Sequence, residues 1–237
     1  MSDGVLDAGY ARDRLQRPEV SFRYRVRARV LVAALERYLN GSEGLRVLDM
    51  GCAEGRTLQE LDELLEGVKL VGVERSAELI AEAPPLAESI ELHCGDVTAL
   101  PADIQGSFDA VSALAVLEHL SDPLGAVREA ARVLRPGGIF VATCPSPRWD
   151  DIAVKLGVQQ DEIHEAELDR AGMIELAENA GLEVLAFERF MLAPIGFLPY
   201  LRVPISAGAA LAIDRIVRRL RVLGFLFVNQ ALIAGKP

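Results

Sequence analysis

Five short apolar runs recur between residues 45 and 142, and helical periodicity fills most of the gaps between them. Leu45–Asp49, Val68–Val73, Ile90–Cys94, Phe108–Ser112 and Ile139–Ala142 each have the length of a buried strand. Leu58, Leu61, Leu64 and Leu65 share one helical face after the first run. Ser76 is the predicted N-cap of a second helix, with Leu79 and Ile80 inward, that Pro84-Pro85 breaks. Asp122-Pro123 opens a third, which ends before Pro136-Gly137-Gly138. Such alternation requires right-handed crossovers, so the chain is predicted to form a mostly parallel, doubly wound α/β sheet. Its ligand crevice is then expected at the carboxyl ends of the strands.

The flanks differ from this stretch. Ser21–Leu39 reads as a helix, with Val26, Val30, Ala33 and Ala34 near the 3.6 period and Asn40-Gly41 as its stop. After Thr143 the pattern loosens: Pro145-Ser146-Pro147 opens a loop and 150–166 is mixed and acidic. Leu168–Asn179 reads as a helix stopped by Gly181, and Leu182–Phe190 and Phe225–Ile233 as two more strands. Between those strands, Phe190–Ile213 has 24 residues and a single charge, Arg202. Pro194, Pro199, Pro204, Gly196 and Gly208 interrupt any spanning helix there. A basic helix, Asp214–Arg221, follows.

Composition narrows the function classes. The 237 residues carry 25 Lys+Arg against 35 Asp+Glu, a net charge of −10, and 51% are hydrophobic. Such a chain buries a substantial core and is a poor general nucleic-acid binder. Cys52, Cys94 and Cys144 lie far apart without CxxC spacing, so neither a disulfide framework nor a metal site is expected. Met1-Ser2-Asp3-Gly4 has no basic-then-apolar leader, which points to a cytoplasmic setting.

Chemistry concentrates at Val47-Leu48-Asp49-Met50-Gly51-Cys52-Ala53-Glu54-Gly55. A strand enters a turn of small residues and the turn enters a helix, so backbone approaches a ligand closely and free N–H groups point at it. Glu74 ends the second strand 23 residues after Gly51, where a carboxylate accepts from both hydroxyls of a ribose. A dinucleotide fingerprint needs G-x-G-x-x-G, and Gly51-x-Ala53-x-Gly55 fails it. Asp49 before the turn repels a phosphate and suits an ammonium or sulfonium group.

On these motifs the chain resembles the class I S-adenosylmethionine-dependent methyltransferases, in their small-molecule, type 11/12-like branch. The resemblance covers roughly residues 25–190 and rests on five motifs in order. They are Val47–Gly55, Val71-Gly72-Val73-Glu74, Cys94-Gly95-Asp96-Val97, Phe108-Asp109-Ala110-Val111 running to Val116-Leu117-Glu118-His119, and Val133-Leu134-Arg135-Pro136-Gly137-Gly138. One departure is Ala53, where the family often has Gly. The resemblance implies a Rossmann-like seven-stranded sheet with helices on both faces and an antiparallel last strand inserted beside the fifth. It also implies roles. Asp49 and the backbone of Gly51, Cys52, Ala53 and Gly55 hold the methionine part of S-adenosylmethionine, whose product is S-adenosylhomocysteine. Glu74 holds the ribose, Arg75 lies beside the adenine, Asp96 and Val97 N–H meet it, and Leu114 flanks the methionine portion.

The implied domain plan is a single methyltransferase domain over 1–237. It comprises an N-terminal helical extension at 1–40, a cofactor-binding core at 45–190 and an apolar and basic insertion at 191–222. The implied reaction is methyl transfer to a small-molecule or lipophilic acceptor, oxygen first, then nitrogen or carbon. His119 and His164 are the candidate bases, and His93, inside a strand, is read as structural. No Asn/Asp-Pro-Pro-Tyr/Phe run is present, so no nucleic-acid substrate is expected. Phe190–Ile213 beside Arg215, Arg218, Arg219 and Arg221 reads either as a buried cap or dimer contact, or as a surface resting on anionic lipid. Arg23, Arg25, Arg27 and Arg29 read as a solvated helix face or as a counter-charge to the ligand. Two alternatives stay open: a cofactor-binding protein without catalysis, membrane-peripheral or partner-binding, and a nicotinamide-dependent oxidoreductase. A homodimer is also open.

Overall fold

The computed structural model describes residues 17–39, 44–149, 168–219 and 223–237. Seven strands form one sheet: β1 (Arg46–Met50), β2 (Lys69–Glu74), β3 (Ile90–Cys94), β4 (Phe108–Leu114), β5 (Leu134–Pro145), β6 (Glu183–Leu192) and β7 (Phe227–Gly235). Their order is β3-β2-β1-β4-β5-β7-β6. β1 through β5 pair in parallel, and β7 lies antiparallel between β5 and β6. The strand order reverses between β1 and β4, which places the crevice of a doubly wound sheet at their carboxyl ends.

Alternating strand residues fill two cores. On one face Leu48, Val111, Phe140 and Leu232 pack under α4 (Pro123–Val133) and α5 (Arg170–Asn179). On the other, Val47, Leu70, Val141 and Ile233 pack under α1 (Pro18–Tyr38) and α2 (Arg56–Leu64). Leu31 and Leu35 of α1 are fully buried, each a gain of about 1.5–3 kcal/mol over exposure. α3 (Ala77–Ala81) starts at Ser76, whose hydroxyl accepts from Leu79 N–H at 3.2 Å.

Two boundaries differ from the pattern. β5 begins at Leu134, directly after α4, and not at Ile139. The register with β4 slips between Phe108 and Ala110, and Gly137 adopts φ +73. Gly137 N–H then donates to Lys236 O (2.8 Å), and Lys236 N–H to Gly138 O (2.9 Å). The Pro-Gly-Gly run is therefore an irregular strand stitched to the end of β7 rather than a free turn. β7 starts at Phe227 because residues 224–226 form a 3₁₀ turn.

The apolar segment folds over the sheet's end as α6 (Ala193–Phe197), a 3₁₀ turn (Leu198–Leu201) and α7 (Ala207–Arg219). Phe190, Met191, Ala207, Ala210 and Ala231 pack with Phe22 and Val26 of α1. Among the described residues, no helix is long and apolar enough to cross a membrane.

Candidate active site

The turn after β1 is locked to β2. Gly51 and Cys52 N–H both donate to Val73 O, at 2.8 and 3.2 Å. Gly51 has φ +76, and a Cβ there meets Val116 Cγ2 at 2.6 Å, so only glycine fits between the turn and the chain leaving β4. Cys52 is buried against Gly72, where a Cβ meets its sulfur at 2.5 Å. Burial, then the Asp49 and Glu74 carboxylates, push its thiol well above the ordinary range, which makes it a packing group and not a nucleophile. Ala53 is left-handed at φ +49, which explains why glycine suits this position. Gly55 caps α2 at φ +81 with no side-chain acceptor, so no side chain covers the first-turn N–H groups of the helix.

Asp49 does not point openly into the crevice. It is 3% exposed, and Ser112 Oγ on β4 donates to its Oδ1 at 2.7 Å. Glu74 lies at the crevice, half-buried, and each of its oxygens accepts one backbone N–H: Ala53 to Oε2 at 3.0 Å and Ser76 to Oε1 at 2.9 Å. A carboxylate offers about four acceptor positions, so capacity remains for a diol.

Asp96 follows β3. Thr98 N–H and Oγ both donate to its Oδ1, at 2.8 and 2.7 Å, and hold its carboxyl below the usual range. The turn-fixing role and a ligand role coexist, because Oδ2 takes no hydrogen bond among the described residues. Val97 is buried by its side chain and its N–H has no acceptor among them. Arg75 is exposed beside this edge, and its carbonyl accepts from Cys94 Sγ at 3.6 Å. Leu114 ends β4, followed by Ala115 at φ +61, and His119 closes the 3₁₀ turn Leu117–His119, partly buried. All of these except His164, which lies outside the described residues, stand along one carboxyl edge.

Sequence reasoning passed over three polar residues of this edge. Ser112 binds Asp49, while Glu54 and Glu118 are almost fully buried carboxylates. Glu54 lies 3.4 Å from Arg56 Nε. Only the strand pairing of β1 with β4 signals Ser112, and that pairing is invisible in one sequence. The arginines of α1 are partly spent on packing: Arg25 and Arg29 reach Glu60 on α2 (3.5 and 3.6 Å), and Arg23 donates to Tyr200 OH (2.5 Å).

Residues 48–142, from β1 to β5, match the family described as "Methyltransferase domain". The match spans the turn, Glu74, Asp96 and the β4 edge, on the strand order given above. The chain carries a methyltransferase domain over residues 48–142. Among curated relatives, this chain is 35% identical over 122 residues to "Ubiquinone biosynthesis O-methyltransferase" of Bradyrhizobium sp. (strain ORS 278), covering 50% of this chain and 47% of that one. It spans between about a third and a half of the length of the curated relatives it matches. Among solved structures, the [4+2]-cyclase SpnF is similar at a TM-score of 0.60 and 22% identity, covering 89% of this chain and 80% of that chain. Phosphoethanolamine N-methyltransferase 2 of Haemonchus contortus, in complex with S-adenosyl-L-methionine, is similar at a TM-score of 0.60 and 17% identity, covering 87% and 52%. These two likenesses concern the fold.

The donor set of this edge fits S-adenosylmethionine. A carboxylate with spare acceptor capacity suits a ribose diol, an open Val97 N–H and Asp96 Oδ2 suit an adenine edge, and an uncapped helix start suits a carboxylate.

Proposed function

We propose that this chain transfers the methyl group of S-adenosylmethionine to a hydroxyl of a small or lipophilic acceptor. The observation that carries the reading is the Glu74 carboxylate. It is fixed by Ala53 and Ser76 N–H groups at the carboxyl end of β2, with capacity left for a ribose. The preference for oxygen rests on the ubiquinone O-methyltransferase relatives. Bound S-adenosylmethionine supplies a methyl group already activated on sulfonium, so the protein supplies alignment and exclusion of water.

Glu74 holds the sugar, and Asp96 and Val97 hold the base beside Arg75. The Gly51–Gly55 backbone and the start of α2 hold the amino-acid part, with Asp49 bracing the turn from β4 through Ser112. Leu114 flanks the methionine portion. His119, at the edge of β4, takes the proton from the acceptor hydroxyl.

A second reading is cofactor binding without methyl transfer, since one fold hosts unrelated functions and a [4+2]-cyclase shares this one. Thermal unfolding with S-adenosylmethionine, S-adenosylhomocysteine and NAD(H) separates the readings, since a ligand of the folded state raises stability. Shifts with both sulfur nucleosides plus methyl transfer to a hydroxyl support the proposal. Shifts without transfer favour the second reading, and a shift with NAD(H) alone returns the oxidoreductase. The exposed face of α7 carries Ile216 (63% exposed) with Arg215 and Arg219, a combination suited to an anionic lipid surface. Flotation with anionic vesicles tests that contact.

A further inference from the structure

A cavity of about 450 Å³ opens past the methyltransferase edge, where β5 ends and β7 begins. Three arginines line it, each from a different element: Arg148 after β5, Arg170 at the start of α5 and Arg189 on β6. Phe225 and Phe227 form its apolar wall. Phe227 is 2% exposed and packs into the sheet, whereas Phe225 is 53% exposed and faces solvent at the rim.

Cations outnumber acids in this lining, against the balance of the chain as a whole. Acids outnumber cations overall, 35 to 25, and Arg37, Arg56, Arg132, Arg135 and Arg218 each meet a carboxylate. Arg148, Arg170 and Arg189 meet none among the described residues. Among the described residues Asp169 is the one acid of the lining, and its Oδ1 caps α5 by accepting from Gly172 N–H at 2.8 Å. Arg170 lies over the Phe187 ring, 5.6 Å from its centroid. Three arginines against one carboxylate leave the described lining net positive, which suits an anion. Planar guanidinium forks suit a carboxylate or a phosphate in particular.

We infer that this cavity anchors the acceptor by an anionic head, a carboxylate or phosphate carried on an apolar or aromatic body that lies against Phe225. The inference rests on the methyl-transfer reading for the word acceptor, and on the cavity alone for the ligand's chemistry. Neighbouring strands lie about 4.8 Å apart, so β7 and β6 stand roughly 10–14 Å along the edge from β4. The acceptor therefore spans roughly 10 Å from its anionic head to the atom that receives the methyl group.

Trp149 gives a direct readout. It is the chain's single tryptophan, it adjoins Arg148, and its indole N–H donates to Phe225 O at 2.7 Å. Its fluorescence is titrated in cofactor-free protein with benzoate, phenyl phosphate, the neutral benzamide and inorganic phosphate. The expected result is at least tenfold tighter binding of the two charged aromatic probes than of benzamide or of inorganic phosphate. Arg189→Gln and Arg148→Gln each weaken the charged probes about tenfold, with melting temperature and S-adenosylhomocysteine affinity unchanged. Equal affinity for benzamide, inorganic phosphate binding as tightly as phenyl phosphate, or indifference to both substitutions overturns the inference. A charged-probe response with no methyl transfer to any acceptor leaves the cavity standing and removes the methyl-transfer reading. Efficient transfer to neutral acceptors, unaffected by Arg189→Gln, removes the anchor and leaves that reading standing.

Discussion

Ala53 N–H donates to Glu74 Oε2 at 3.0 Å, so a left-handed turn after β1 and the carboxylate after β2 form one rigid unit. Ser76 N–H holds the other oxygen at 2.9 Å. The carboxylate is thus aimed before any ligand arrives, and its ordering cost is met on folding.

Glu74→Ala is expected to weaken S-adenosylhomocysteine binding at least tenfold, about 1.4 kcal/mol or more, by isothermal calorimetry. It also leaves the Ala53 and Ser76 N–H groups without their acceptor, so the melting temperature falls with it. Unchanged affinity defeats the ribose assignment.

Gly51→Ala places a methyl 2.6 Å from Val116 Cγ2 on a backbone at φ +76. Valine is stiff at χ1 and does not swing away. The substitution is expected to destabilise by roughly 1–3 kcal/mol, the usual cost of overpacking. Adding Val116→Ala removes the clash but not the strain at positive φ. Partial recovery in chemical denaturation therefore marks the clash, and no recovery assigns the whole loss to the backbone.

Asp96 and Asp214 give opposite pH signatures. Thr98 donors hold the Asp96 carboxyl below the usual range, so the folded state releases its proton more readily than the unfolded chain. That contribution is present above the ordinary carboxylate range and is lost as pH falls through the depressed value. Asp96→Asn is expected to lower the melting temperature near about pH 7, with the difference shrinking in acid.

Asp214 of α7 accepts from Met191 N–H (2.6 Å) and Leu192 N–H (3.0 Å), where β6 leaves the sheet with Met191 at φ +62. Burial raises its carboxyl, and these donors and Arg218 only partly offset that. The folded state then holds the proton more tightly, so this group's contribution declines as pH rises from the ordinary carboxylate range through the raised value. Asp214→Asn is expected to abolish that decline. Asp214→Ala strands two N–H groups, at a cost of roughly 1–3 kcal/mol each, and hydrogen exchange at 191–192 accelerates.

His119→Ala is expected to leave S-adenosylhomocysteine affinity unchanged and to slow turnover about 10²-fold or more on a hydroxyl acceptor. Rate recovery at high pH, where the acceptor ionises unaided, marks lost base catalysis. A large loss of cofactor affinity instead places His119 in the cofactor site.

The sequence determined the alternating fold, the turn at Gly51–Gly55, the acid at Glu74 and the Ser76 and Asp122 caps, because each depends on neighbours within a few residues. The period of apolar residues and the stereochemistry of small residues are local physics, legible without a partner strand. Tertiary structure alone decided which residues meet across the sheet. Ser112 reaches Asp49 over 63 positions, Asp214 holds Met191 across the insertion, and Val116 is what forbids a side chain at Gly51. It also gathered Arg148, Arg170 and Arg189 around one cavity, although the chain spaces them across three elements. Register, crossover and packing create such contacts, and a one-residue slip of any strand erases them.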